Sequence, residues 1–220
     1  MDNEVTQSGV DNAQGRVLRR SIIGAGLGGA ALSLLPFLGG RAAATDTTAT
    51  GGSAETTTTT APPLRPTADD TALLGQAQQL EIAARRLYAQ ALTDVKWTPE
   101  QQRVVATISQ QHIAFAGSLS GLLGRNAPNA VSDQIVGKFA SGFTGDAKTV
   151  LATAWQLESA VVATHLDVLA KLQGINGAAL IASMMVTEAR NCTVVAELAS
   201  ISDNAKLLVD TEEPSLLGNG

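Results

Sequence analysis

The chain has 220 residues and a formal net charge of −5, which suits one domain of ordinary size with some additional sequence. No basic patch follows the N-terminal region, and this argues against a nucleic-acid partner. The single cysteine, Cys192, excludes an internal disulfide and a CxxC zinc motif, and we expect it to be buried and unreactive. Hydrophobic residues make up 45% of the chain but aromatic residues only 3%, a composition that favours closely packed helices.

The first 44 residues have the pattern of an export signal. Arg19 and Arg20 precede an apolar, glycine-rich stretch, which ends at an Ala-x-Ala cleavage signal formed by Ala42 and Ala44. An adjacent arginine pair before a weakly hydrophobic stretch is typical of the twin-arginine pathway. We therefore predict a twin-arginine signal peptide over residues 1–44, recognition by that export machinery, and a location in the cell envelope or outside the cell. An uncleaved membrane anchor is the alternative, and after cleavage no stable membrane span is expected.

The remaining chain divides into three parts. Residues 45–66 are rich in Thr and Pro, and we predict a disordered linker because such a segment buries too little apolar surface to offset its chain entropy. Residues 67–202 are predicted to form a four-helix bundle, and residues 203–220 a flexible tail.

Capping signals locate the first hairpin of this bundle. Thr67 is the expected N-cap of the first helix, with Asp69 and Asp70 in the first turn, where the helix dipole favours negative charge. The run Thr98-Pro99-Glu100-Gln101 combines an N-cap, a proline at the first helical position and a capping-box glutamine. The second helix is expected to end near Gly124.

A second hairpin follows a longer connection. An irregular stretch with a short helix near 131–139 leads to a third long helix over 146–173, and a fourth helix runs from the Asn176-Gly177 turn to about Ser200. Two hairpins joined by one long crossover describe an all-α four-helix bundle.

Three glutamates fall on the apolar stripes of these helices. Glu81, Glu158 and Glu188 lie among Leu, Ala, Val and Met, where a carboxylate is costly unless it is paired, protonated or bound to a cation. Glu81 precedes His112 by 31 residues, and Glu158 precedes Glu188 by 30. This repeat matches a dimetal bundle, in which each hairpin supplies one Glu and one Glu-x-x-His turn.

The segments that carry this pattern resemble the ferritin-like superfamily, and most closely its exported members from actinobacteria, over roughly residues 68–200. They are the run from Leu80 to Tyr88, His112 with the residues 119–124 that follow, Leu157-Glu158, and the run from Glu188 to Asn191. The resemblance implies that Glu81, Glu158, Glu188 and His112 are metal ligands. Ser109 and Asn191 stand where the family motif has Glu and His.

The implied cofactor is therefore one or two transition-metal ions (Fe, Mn or Zn), or none. Possible supporting residues are His165, two turns after Glu158 on the same face, together with Asn191, Tyr88 and Ser109. Met184 and Met185 are expected to be core packing.

Structural explanations for the same residues stay open. Glu81 and Glu158 could pair with Arg85 and Arg86, and either histidine could be a core side chain bonded to a carboxylate. Two functions follow: an exported metal-binding protein with possible oxygen- or peroxide-linked oxidation, or a metal-free bundle acting as an extracytoplasmic binding or structural module. Whether the chain is an enzyme is not decided by its sequence. A monomer or dimer is favoured over a hollow iron-storage shell.

Overall fold

The computed structural model describes residues 61–201, 208–210 and 212–217. The predicted signal peptide and residues 45–60 of the predicted linker lie outside these residues. The described part contains five α-helices and no strand: α1 (Ala68–Asp94), α2 (Pro99–Leu123), α3 (Asp133–Phe139), α4 (Ala147–Lys171) and α5 (Ile175–Leu198). The prediction of an all-α bundle is confirmed, and most predicted helix boundaries agree to within about two residues. The predicted turn at Asn176-Gly177 is wrong, because both residues lie in the first turn of α5, where backbone carbonyl groups from before Thr67 accept the N–H groups of Ile175 and Asn176.

The four long helices form two hairpins, as the sequence predicts. Helix α1 packs along α2, and α4 packs along α5. The hairpins meet through contacts of α1 with α4 and of α2 with α5. Between them runs one long crossover, which includes α3 and two short 3₁₀ turns and packs mainly against α1 and α4.

Capping side chains set the starts of the helices. Thr67 and Asp70 form a reciprocal capping box on α1, and Thr98 and Gln101 form one on α2. The Asp146 carboxylate accepts hydrogen bonds from two backbone N–H groups in the first turn of α4. Each cap satisfies N–H groups that would otherwise lack a partner at a helix start.

Asp70 also joins the first helix to the turn between α4 and α5. Its carboxylate is fully buried and accepts backbone N–H groups from Thr67, Gln173 and Gly174, each at 2.8 Å. A Cβ atom at Gly174 would lie 2.7 Å from the Arg65 carbonyl oxygen and 2.9 Å from Asp70 Oδ2. Only glycine leaves room for this close approach, so the position is fixed by sterics.

The end of the predicted linker contacts the same turn. The carbonyl oxygens of Pro63 and Leu64 accept hydrogen bonds from the backbone N–H groups of Ile175 (2.9 Å) and Asn176 (3.1 Å). Helix α5 has no side-chain N-cap at Gly174. These two carbonyl groups therefore satisfy N–H groups in its first turn. Residues before Thr67 thus contact the bundle.

The buried apolar residues form two clusters, one toward each end of the bundle. The first includes Leu87, Phe143, Leu151 and Val195, and the second includes Leu74, Phe115, Leu119 and Met184. The two clusters meet at a polar layer composed of Glu81 on α1, His112 on α2, His165 on α4 and Glu188 on α5. Apolar packing therefore encloses this layer on both sides.

The described parts of the C-terminal segment run along α4. The Trp155 indole donates to the Leu208 carbonyl oxygen (2.9 Å), Ser159 Oγ accepts from Asp210 N–H (3.1 Å), and Thr164 Oγ1 accepts from Leu216 N–H (2.8 Å). Neither the helix caps nor the apolar periodicity predicted these contacts. Of the helices in the described ranges, none has both the length and the hydropathy that crossing a bilayer requires.

Candidate metal centre

The structure brings all the ionisable residues predicted from the sequence to one place in the bundle. Glu81, His112, Glu158, His165 and Glu188 each have 0% of their surface exposed. They come from four different helices, and they meet because each lies on the inward stripe of its own helix. Five ionisable side chains in an apolar interior require mutual pairing or a bound cation.

His112 lies between two carboxylates. Its Nδ1 atom is 2.7 Å from Glu81 Oε2, and its Nε2 atom is 3.0 Å from Glu158 Oε1. An ionised carboxylate only accepts hydrogen bonds, so an imidazole held between two of them carries both protons. Burial opposes this charge, but Glu158 and Glu81 hold the pKa of His112 well above its ordinary value.

His165 makes a similar but less complete bridge. Its Nδ1 atom is 2.7 Å from Glu188 Oε2, while its Nε2 atom is 3.4 Å from Glu81 Oε1 without hydrogen-bond geometry. Burial again opposes the charged form, and the two carboxylates, chiefly that of Glu188, raise the pKa of His165. The histidines thus connect the two hairpins through Glu81.

Glu158 is the carboxylate with the most hydrogen bonds in the cluster. Besides His112, it accepts a hydrogen bond from the Tyr88 hydroxyl at Oε1 (2.6 Å) and one from Asn191 Nδ2 at Oε2 (3.2 Å). Burial and the neighbouring Glu158 carboxylate raise the pKa of Tyr88 well above its ordinary value, so its hydroxyl keeps its proton. Both oxygens of Glu158 therefore have partners within the protein.

Three buried atoms of the cluster have no hydrogen-bond partner in the described structure: Glu81 Oε1, Glu188 Oε1 and His165 Nε2. A buried polar atom left without a partner costs about 1–3 kcal/mol. Burial and the nearby Glu188 raise the pKa of Glu81, against the opposing influence of the two histidines. Unused acceptor atoms of this kind, grouped together in an apolar interior, are a property of a ligand site.

These atoms suit a metal ion. Glu81, His112 and Glu188 can each direct one ligand atom so that the three atoms lie within 4.8 Å of one another. Carboxylate oxygen and imidazole nitrogen are ligands that Fe, Mn and Zn accept. The donor set and the unpartnered atoms together fit the metal that the sequence pattern implies.

The arginines, Ser109 and Cys192 singled out in the sequence lie in different surroundings. Arg85 and Arg86 are exposed, and Arg86 lies near Asp133 (3.9 Å), so the buried glutamates pair with histidines and not with arginines. Ser109 is buried on the same face of α2 as His112. Cys192 is fully buried, its Sγ atom 3.8 Å from Ser159 Oγ, and burial raises the pKa of its thiol, as expected for an unreactive cysteine.

Sequence reasoning named Asn191 and His165 as possible supporting residues but missed which carboxylate each one contacts. Asn191 stands where a ligand histidine is expected, and it donates a hydrogen bond to Glu158. His165 pairs with Glu188 on the neighbouring helix. The only sequence signal for either contact was the inward position of both residues.

A helical bundle with two Glu-bearing hairpins and a buried carboxylate–imidazole cluster at its centre defines the class of carboxylate metal-site bundles. The sequence profile of the family described as "Ferritin-like domain" matches residues 69–200, more than half of the chain. The chain therefore belongs to the ferritin-like family. Searches of curated proteins and of solved structures gave no match.

Proposed function

We propose that this chain is an exported ferritin-like protein that binds a transition-metal ion (Fe, Mn or Zn) at the buried cluster. One observation carries the proposal: the ligand atoms of Glu81, His112 and Glu188 converge, and carboxylate oxygens of Glu81 and Glu188 are unpartnered there. A buried carboxylate oxygen without a hydrogen-bond partner destabilises the fold, and a bound cation would give that oxygen a favourable interaction.

The protein's own residues would hold and shield the metal. Glu81, Glu188 and His112 supply the ligands, and the two apolar clusters exclude water from both sides. When bound, Fe or Mn would supply redox chemistry, since either metal can give electrons to oxygen or peroxide and be oxidised in turn. Tyr88 and Asn191 hold Glu158 in place beside the ligands.

Metal content tests this function directly. Protein purified after export by cells of its native host type should carry about one equivalent or more of Fe, Mn or Zn, as measured by elemental mass spectrometry. A Glu81→Ala/Glu188→Ala variant should carry none. The matched control, Glu100→Ala/Glu197→Ala, removes two exposed carboxylates from the same protein and should retain the metal. Equal metal in all three proteins would contradict the assignment.

Export is supported by sequence alone. Arg19 and Arg20, the apolar stretch after them and the small residues Ala42 and Ala44 favour the twin-arginine pathway and delivery to the cell envelope or beyond. Conservative replacement of both arginines by lysine should retain the protein in the cytoplasm, as measured by cell fractionation. The same change at Arg16, which lies outside the pair, should leave export intact.

A second function is supported by a different observation. Asn191 donates to Glu158, and two histidines lie beside carboxylates, so protons alone balance much of the cluster's charge. A metal-free bundle acting as a binding or structural module outside the membrane would have this arrangement. Absence of metal from the wild type, with the double variant equally stable, would support this alternative.

A further inference from the structure

We propose that the cluster binds one metal ion and not two, held by Glu81, His112 and Glu188, and that Glu158 is a positioning residue and not a ligand. The inference rests on the proposed function and concerns how many metal ions the site takes. The family pattern has six ligands for two metals, and all three glutamates and His112 match it. The structure divides these four residues into two groups.

Glu158 differs from the other glutamates in its hydrogen bonds. Its Oε1 atom accepts from Tyr88 and lies 3.0 Å from His112 Nε2, and its Oε2 atom accepts from Asn191. In contrast, Glu81 and Glu188 each have one oxygen without a partner. A metal at Glu158 would compete with the hydrogen bonds already made at both of its oxygens, whereas Glu81 and Glu188 each offer an oxygen without a hydrogen-bond partner.

The bond to Glu158 also orients a ligand. A metal-binding histidine usually donates its other ring N–H to a carboxylate, which fixes the tautomer and the ring plane. Glu158 stands in this relation to His112 Nε2, which leaves Nδ1, now 2.7 Å from Glu81 Oε2, as the nitrogen that would bind the metal in exchange for its proton. The other ligand carboxylate is also held by a hydrogen bond, since His165 Nδ1 lies 2.7 Å from Glu188 Oε2.

A second metal would lack ligands. Ser109 and Asn191 replace one carboxylate and one imidazole of the pattern, and the Asn191 amide is already bonded to Glu158. The cluster atoms without hydrogen-bond partners belong to Glu81, Glu188 and His165, and none belongs to Glu158. The carboxylate oxygens left for a metal are therefore those of Glu81 and Glu188, whose ligand atoms converge with that of His112 on one place.

Titration of the metal-free full chain with Co²⁺ tests the proposal. Native mass spectrometry should count one Co²⁺ per chain, and the visible absorption of bound Co²⁺ should saturate at one equivalent. Glu158→Gln should keep the stoichiometry at one and weaken the affinity about 10–100-fold, the usual effect of losing an orienting partner. Glu81→Gln and Glu188→Gln should show no measurable binding. All three changes preserve side-chain shape, and circular dichroism would show that each variant is folded.

Milder variants test the positioning role separately. Tyr88→Phe and Asn191→Ala should each weaken Co²⁺ binding while one ion still binds, since they loosen Glu158 without removing a ligand. Two ions bound to the wild type would overturn the one-metal inference, and complete loss of binding in Glu158→Gln would show that Glu158 is a ligand; both results leave the proposed function standing. Unchanged affinity in Glu158→Gln would refute its positioning role. No Co²⁺ binding by the folded wild type would refute the proposed function itself.

Discussion

Two carboxylates on the same helix, Asp70 and Glu81, have opposite surroundings. Both are fully buried on α1. The Asp70 carboxylate accepts hydrogen bonds from three backbone N–H groups, each at 2.8 Å. Glu81 has one oxygen bonded to His112 and one oxygen without a hydrogen-bond partner. Burial opposes ionisation of Asp70, but those hydrogen bonds hold its pKa below the ordinary value, while burial and Glu188 raise the pKa of Glu81.

The difference separates a structural carboxylate from one available to a ligand. Asp70 uses its charge to join two distant segments of chain, and its hydrogen bonds satisfy the group. Glu81 lies in the interior with spare acceptor capacity, which adds nothing to the metal-free fold. A buried carboxylate is therefore best interpreted from its partners and not from burial alone.

The largest effect is expected from Asp70→Asn. The amide group would place N–H donors against the backbone N–H groups that the carboxylate now accepts, and two charge-assisted hydrogen bonds would be lost. At roughly 1.5 kcal/mol or more each, this should lower the free energy of unfolding by about 3 kcal/mol. Urea denaturation measures it. A loss below about 1 kcal/mol would remove the structural role assigned to Asp70.

The pH dependence of that difference is the next prediction. Because the folded pKa of Asp70 lies below its unfolded value, its stabilisation is complete above about pH 5 and disappears as pH falls through about 3.9 and then through the folded pKa. The stability gap between wild type and Asp70→Asn should therefore narrow in acid. Denaturation curves of both proteins at neutral pH and near pH 3 check this, and a constant gap would contradict the account.

Gly174→Ala should weaken the same junction from the other side. The added Cβ would lie against the Arg65 carbonyl and Asp70 Oδ2, and overpacking of this kind costs about 1–3 kcal/mol. Gly121→Ala in α2 is the matched control, since its Cβ would meet nothing within 4 Å. That change should raise stability by roughly 0.5–1 kcal/mol. Thermal unfolding of both variants would show whether the two changes have opposite signs.

The smallest stability change is expected from Glu81→Gln in the metal-free protein. The amide keeps an oxygen that can accept from His112 Nδ1, and Glu158 still balances the imidazolium charge, so the free energy of unfolding should fall by only about 1 kcal/mol or less. Urea denaturation after chelator treatment measures it. A loss comparable to that of Asp70→Asn would mean that both carboxylates are structural, and the comparison between them would fail.

Much of the fold could be predicted from sequence because its signals are local. Helix caps at Thr67 and Thr98 and the apolar stripes predicted most helix boundaries to within about two residues. The same periodicity placed Glu81, Glu158 and Glu188 inside the bundle. Periodicity gives the face of a helix on which a residue lies, which is why these inward positions were predictable.

The partners of those residues could not be predicted in this way. Asp70 fits a first-turn charge, yet its backbone partners Gln173 and Gly174 lie more than a hundred residues away along the chain. The bond from Asn191 to Glu158 likewise depends on how α4 and α5 are rotated against each other. A helical repeat does not determine how neighbouring helices are rotated against each other. The hydrogen-bond partners of the buried glutamates therefore could not be predicted from the sequence.

The Asp70 junction also has a consequence for the order of folding. The contacts within each hairpin span short sequence separations, 31 residues for Glu81 with His112 and 23 for His165 with Glu188, whereas Asp70 reaches partners 103 and 104 residues away. Contacts that close long loops form slowly and late. During synthesis, these hydrogen bonds cannot form until α4 and the turn after it have emerged, and a chain ending before Gln173 could form α1 and α2 without making this junction.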